Sequence, residues 1–207
     1  MSHFAHHSEE NYLKTLFSLS ARDIKKVNNI ALAQALKLNP ATVLEMVRKL
    51  ASKNLVEVKK DKTISLTEKG RKRALLTIRK HRLWEVFLVD KLRYKWNEVH
   101  ELAEQLEHIE SKDLIDRLEA FLDYPAFDPH GDPIPDKSGK LKISSTIPLS
   151  SGEKGKRYKV MSLAETNDAF LTYLEKLHIK PGMKLKVEDL HSYDQSCSLF
   201  VHIDGDP

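Results

Sequence analysis

Apolar positions recur at helical spacing through the first part of the chain. Tyr12, Leu13, Leu16, Phe17 and Leu19 form a stripe that predicts a helix from Ser8 to Leu19. A charged connector, Ser20 to Asn28, leads to a compact helix over Ile30–Leu36. Asn39-Pro40 is an N-cap and N1 pair that opens the next helix, to about Ser52, with Val43, Met46, Val47 and Leu50 facing inward. The period then changes. Leu55-Val56-Glu57-Val58 and Thr63-Ile64-Ser65-Leu66 alternate like strands around the basic turn Lys59-Lys60-Asp61-Lys62. Short helices followed by a two-stranded wing are the order of a winged helix-turn-helix.

Thr67-Glu68-Lys69-Gly70 opens a long helix to about Leu92. Another is predicted over Val99–Ile109, and Ser111 caps a third, Lys112 to Leu122. Tyr124 to Leu141, with Pro129-His130-Gly131-Asp132-Pro133-Ile134-Pro135, reads as a linker or ordered loop and a domain boundary. Beyond it, Tyr158–Met161, Lys184–Val187 and Ser198–Val201 read as strands, a helix spans Asp168 to Leu177, and Pro181-Gly182 makes a turn. The fold class is mainly α with β, and three domains are expected: 1–72, 73–141, and a small β-rich 142–207. The chain ends at Gly205-Asp206-Pro207 soon after a strand, so this last domain is expected to be short of a final strand.

Composition sharpens this outline through charge. Between Leu36 and Trp96 there are 17 Lys/Arg against 6 Asp/Glu, and between Asn97 and Asp136 only 2 against 12. The basic stretch suits a polyanion, because each phosphate contact releases condensed counterions. The acidic stretch binds cations or forms a solvated helix face, and spacing has to decide between them. Cys197 is alone, which excludes an internal disulfide framework and a multi-cysteine zinc site. No run reaches a membrane span, and the first residues lack the apolar core of a signal peptide, so a cytoplasmic protein with no membrane partner is expected.

The helix opened by Asn39 is the candidate for reading double-stranded DNA. Asn39, Thr42 and Glu45 suit hydrogen-bond readout of base edges, and Ala41 a thymine methyl. Arg48, Lys49 and Lys53 suit phosphates, as do Lys59, Lys60 and Lys62 on the wing. Surface lysines that merely solvate a protein-interaction module are the alternative.

The more specific signal is His100, Glu104, Glu107 and His108, which at about 100° per residue would share one face of the helix from Val99. The preceding helix adds His81 and Glu85, one turn apart. Any one such pair reads as ordinary ion pairing. Six imidazole and carboxylate groups on two helices read as a site for a first-row divalent ion.

These residues carry a resemblance. Arg79-Lys80-His81-Arg82-Leu83, then Glu85, His100, Glu104-x-x-Glu107-His108 and the Pro129–Pro135 loop resemble the iron- and manganese-dependent repressors of the diphtheria toxin repressor/MntR family, and the likeness runs over essentially the whole chain. It implies a winged-helix DNA-binding domain, a helical metal-binding and dimerisation domain, and a C-terminal SH3-like (FeoA-like) domain. It implies a primary metal site of Asn11, Glu104, Glu107 and His108. A secondary site would use His81, Glu85 and His100, completed by Glu165 or Asp168. Glu104 stands where iron-type members carry a soft sulfur ligand, so the resemblance leans to Mn2+, with Fe2+ second. Asn11 stands where manganese-type members carry Asp. Lys14 stands where some binuclear members carry a carboxylate, which argues for separated sites.

The expected function is a homodimeric, metal-dependent repressor of metal-homeostasis genes that binds a pseudo-palindromic operator, and not an enzyme. One alternative is a winged-helix regulator whose helical domain only dimerises and senses no metal. The other, a metal-dependent hydrolase, lacks an evident free general base once Glu104, Glu107 and His108 all ligate.

Overall fold

The computed structural model describes residues 3–21, 26–142, 145–191, 193–194 and 196–202. The chain divides into two compact units. One gathers Met1–His81, Leu106–Glu110 and Pro135–Leu141; the other holds Arg82–Gln105, Ser111–Ile134 and Lys142–Pro207.

In the first unit, α1 (His3–Ala21), α2 (Asn29–Leu36) and α3 (Pro40–Ser52) lead into the hairpin β1 (Val56–Val58) and β2 (Ile64–Leu66), and then into α4 (Glu68–Asp90). The first helix begins earlier than the predicted Ser8; part of the connector after it, residues 22–25, lies outside the described residues. Helix starts follow from their caps. Asn28 accepts from the Ile30 and Ala31 amides, and Asn39 from that of Ala41 at 2.8 Å, with Pro40 supplying the preset φ of N1. The wing is antiparallel, with Val56 opposite Leu66 and Val58 opposite Ile64. Tyr12, Leu13 and Leu16 of α1 are buried with Leu32, Val43, Val47, Leu50, Leu55 and Leu75 in one core.

Gly70 fixes how α4 leaves the wing. A Cβ there would stand 1.9 Å from the Leu55 carbonyl oxygen, so only glycine admits this approach of helix to backbone. Gly70→Ala is expected to cost about 1–3 kcal/mol as an overpacking defect, read as a lowered urea midpoint at unchanged slope.

In the second unit, Leu83 and Val86 from the later turns of α4 pack with Ile115, Leu118 and Leu122 around α6 (Lys112–Phe121). The helix α5 (Val99–Leu106) ends before the predicted Ile109, and Glu107 and His108 lie in a turn that the Ile109 amide closes onto the Leu106 carbonyl. Residues 124–134 form an ordered loop. The Ile134 amide donates to Ala126, and Asp128 Oδ1 accepts from the amides of His130 and Asp132 at 2.8 and 3.0 Å. Gly131, at φ +86°, lets this turn approach the Met161 carbonyl, which a Cβ would meet at 2.0 Å. A three-stranded antiparallel sheet of β3 (Arg157–Lys159), β4 (Lys184–Leu190) and β5 (Cys197–His202), in the order β3-β4-β5, accompanies α7 (Asp168–Lys176). Leu171, Leu174, Leu185 and Val187 are its buried positions. The terminal Gly205-Asp206-Pro207, and with it the expectation of a missing strand, lies outside the described residues.

Candidate metal centre and nucleic-acid face

Glu107 and His108 turn inward directly after α5. A fully buried carboxylate is costly unless charges or N–H groups meet it, and Glu107 is 0% exposed. Lys14 Nζ donates to both of its oxygens at 2.8 Å, and His81 Nδ1 lies 2.6 Å from Oε2. Burial alone would raise the Glu107 carboxyl, yet the His81 hydrogen bond and the Lys14 charge outweigh it and hold the group below the usual carboxylate range. His108 Nδ1 lies 2.8 Å from Glu10 Oε2, and its Nε2 faces Glu107 Oε1 at 3.9 Å. Lys80 Nζ is 3.6 Å from the other Glu10 oxygen. Beside Glu10, the buried Asn11 Oδ1 has no hydrogen-bond partner. Such an orphan costs about 1–3 kcal/mol, so this oxygen is a donor atom without a bond to show for its burial.

Two expectations change here. His100, Glu104, Glu107 and His108 do not share one helix face, because the helix stops at Leu106. His100 and Glu104 stay exposed on α5 and face each other at 3.5 Å, while Glu107 and His108 are buried. Glu10 was not among the expected residues. Its signal was available, since Glu10, Asn11 and Lys14 fall within one turn and so on one side of the first helix.

His81 and Glu85 stand one turn apart on α4, as expected. Glu85 is buried, with Oε1 3.5 Å from His100 Nδ1 and Oε2 3.7 Å from His130 Nδ1. Glu165 and Asp168 are exposed. Asp168 opens α7, where a carboxylate suits the helix N-terminus. The 124–134 loop adds a buried pair that the sequence pattern does not single out, Asp128 and His130, whose potential ligand atoms lie with those of Glu85 within 4.8 Å of one another. His130 Nε2 donates to the Trp96 carbonyl at 2.9 Å. Burial opposes charge on His130, but Glu85 and Asp128 outweigh it and raise its pKa. Asp128 is pushed up to about 7 by burial and the neighbouring Glu85 charge, although Arg82 Nε stands 3.3 Å away. The hint in the sequence was one His and two Asp compressed into a Pro/Gly turn.

On the basic side, Ala41, Thr42, Glu45 and Arg48 are exposed on α3, and Lys59, Lys60 and Lys62 on the wing. Asn39 is exposed too, with its side-chain oxygen spent on the cap. Lys49 departs from expectation. Its Nζ is 3.1 Å from Glu9, a residue 1% exposed, which also holds Lys53 at 2.6 Å and Arg73 at 3.4 Å. A buried carboxylate draws these cations inward, so Lys49 is not simply presented to solvent.

Comparison with known proteins bears on both regions. A family model for the N-terminal DNA-binding domain of iron-dependent repressors matches residues 6–64, and one for their metal-binding and dimerisation domain matches residues 67–136. A solved manganese-dependent transcriptional repressor, in complex with manganese, is 33% identical with a TM-score of 0.84, over 93% of this chain and 89% of that one. The chain belongs to the iron-dependent repressor family, that of the diphtheria toxin repressor. Another member, ScaR with bound Cd2+, is 35% identical with a TM-score of 0.79, over 96% of this chain and 91% of its own. The iron-dependent repressor IdeR of Mycobacterium tuberculosis (strain ATCC 25618 / H37Rv) is 37% identical over 126 residues, 61% of this chain. That match spans about half of the relative's length, 54%.

Proposed function

We propose that this chain is a metal-activated, DNA-binding transcriptional repressor, a cytoplasmic homodimer rather than an enzyme, with Mn2+ as effector and Fe2+ second. The observation that carries the reading is the buried approach of His108 Nε2 to Glu107 Oε1, together with the unpartnered, buried Asn11 Oδ1 on α1, in a chain whose relatives are metal-dependent repressors. The donors fit a hard or borderline divalent ion. They are carboxylate, imidazole and amide oxygen, with no sulfur, and His108 Nε2 and Glu107 Oε1 at 3.9 Å suit two ligands of one ion. The primary site would take Asn11, Glu107 and His108, with Glu104 as its fourth residue; the secondary would centre on Glu85 with His81 and His100. A bound ion would supply positive charge tying α1 to the segment after α5. Among the described residues no helix is long and apolar enough to cross a membrane.

The residues then divide the work. Asn11 and Glu10 sit on α1, whose Tyr12, Leu13 and Leu16 share a core with Val43, Val47 and Leu50 of α3. Holding α1 therefore holds the recognition helix, and a two-fold dimer then fits a pseudo-palindromic operator. The test is fluorescence anisotropy with a duplex from upstream of a metal-transporter gene, titrated with Mn2+, Fe2+ and Zn2+. The expected result is a metal-dependent gain of about 5–150-fold, the usual range of coupling between sites. No gain with any ion would refute the reading and favour a winged-helix regulator that senses no metal.

On the DNA side, replacing Lys59, Lys60 and Lys62 by Ala should weaken binding to all sequences alike. The plot of log affinity against log salt should flatten by about 0.9 for each phosphate that is no longer neutralised. Arg48→Ala should behave in the same way, whereas Thr42→Ala should change the preference among operator variants.

A further inference from the structure

We propose that Glu10 is the positioning carboxylate of the metal centre, holding the His108 ring so that Nε2 is the ligand atom; this rests on the metal-dependent reading above. Glu10 Oε2 lies 2.8 Å from His108 Nδ1, and both groups are largely shielded from water, at 14% and 7% exposed. A carboxylate at that distance accepts a hydrogen bond that Nδ1–H donates. A neutral imidazole carries one N–H, so the lone pair falls on Nε2. That atom is the one facing Glu107 Oε1 at 3.9 Å. Two donors each about 2.1 Å from one ion stand roughly 3 Å apart at right angles and roughly 4.2 Å apart when opposed, so the separation of the pair falls in that range. Lys14 Nζ, 2.8 Å from Oε1, is the group that gives way. Lys80 Nζ, 3.6 Å from Glu10 Oε1, steadies the carboxylate from behind.

The arrangement also answers a deficit in the ligand set. Asn11 brings an oxygen and no charge. Glu10, its chain neighbour, brings a charge that reaches the site through the imidazole, where it raises the basicity of Nε2. Helix one thus supplies donor atom and negative charge from two adjacent residues instead of one.

The experiment measures Mn2+ affinity of the full chain by chelator competition, without DNA, for wild type, Glu10→Gln and Glu10→Asp. The Co2+-loaded forms are compared by visible absorption, which reports the ligand set. Glu10→Gln is expected to bind Mn2+ about 10–100-fold more weakly, as loss of a carboxylate behind a ligating histidine does, with the Co2+ bands in place. Glu10→Asp should recover part of the affinity, and since it keeps the charge it also answers for any folding defect of the glutamine variant. Affinity within twofold of wild type in Glu10→Gln would overturn the proposal, as would a Co2+ spectrum that changes to one fewer ligand, which would make Glu10 itself a ligand. A wild-type chain that binds no Mn2+ would instead overturn the metal reading, a distinct outcome.

Discussion

Glu107→Gln should abolish the Mn2+-dependent gain in operator affinity while leaving metal-independent DNA binding in place. The substitution keeps the shape of the side chain and removes its charge. Of the expected primary ligands that the structure buries, Glu107 is the carboxylate; Asn11 is neutral, and His108 gives one nitrogen. Removing a group that only supports a ligand already costs about 10–100-fold in metal affinity, so losing the ligand's charge should cost more. Since metal raises DNA affinity by the same factor as DNA raises metal affinity, a coupling of about 5–150-fold should fall to one. Anisotropy at saturating Mn2+ checks this, and a variant that still responds to Mn2+ would show that Glu107 is only an internal counter-ion. The same change leaves Lys14 and His81 without their carboxylate. Lys14 is 15% exposed and can reach water, so the loss of stability should stay near about 1–3 kcal/mol, below that for a stranded buried charge.

The elements were legible because their signals are local. Asn39-Pro40, Ser111 and the apolar stripes mark helix starts and inward faces, and the period-2 runs around Lys59–Lys62 mark the wing. The proposed metal-ligand residues were legible as types, since six His and Glu residues gather on two predicted helices. Their arrangement was less so. A helical wheel extends a helix past its true end; the helix stops at Leu106, and Glu107 and His108 in the turn after it are buried while His100 and Glu104 are exposed. Glu10 was harder to select, because it follows Glu9 in a polar stretch and the side it shares with Asn11 and Lys14 carries mixed charge. Asp128 and His130 lie in a loop whose turn is local, but their burial against Glu85 and the His130 bond to the Trp96 carbonyl join residues far apart in the chain. Lys49 faces outward on the wheel, yet long side chains follow charge, and Glu9 lies within its reach.

Glu9 leads to the largest expected change in stability. Glu9→Ala should lower the unfolding free energy by about 2–4 kcal/mol, measured by urea unfolding at pH 7. The carboxylate is 1% exposed and bonded to Lys53 at 2.6 Å, Lys49 at 3.1 Å and Arg73 at 3.4 Å. Hydrogen bonds to charged groups contribute about 1.5–3 kcal/mol, and the three cations left behind repel one another. They reach solvent at 29–40% exposure, which keeps the loss under the 3–5 kcal/mol typical of a fully buried broken pair. The pH dependence separates this from simple loss of packing. Burial tends to raise the Glu9 carboxyl, but the hydrogen bonds and charges of Lys53 and Lys49 prevail and lower it in the folded state. A carboxyl lowered on folding lends stability that is fully present above its unfolded pKa, about 4.3, and is lost as pH falls through its folded pKa. The gap between wild type and Glu9→Gln should therefore be widest above about pH 5 and narrow steadily below pH 4. A gap that stays constant across that range would assign the effect to packing and not to charge. Because Glu9 joins α1 to Lys49 and Lys53 at the end of α3, the loosened variant should also bind operator less tightly at saturating Mn2+, with its Mn2+ affinity in the absence of DNA unchanged.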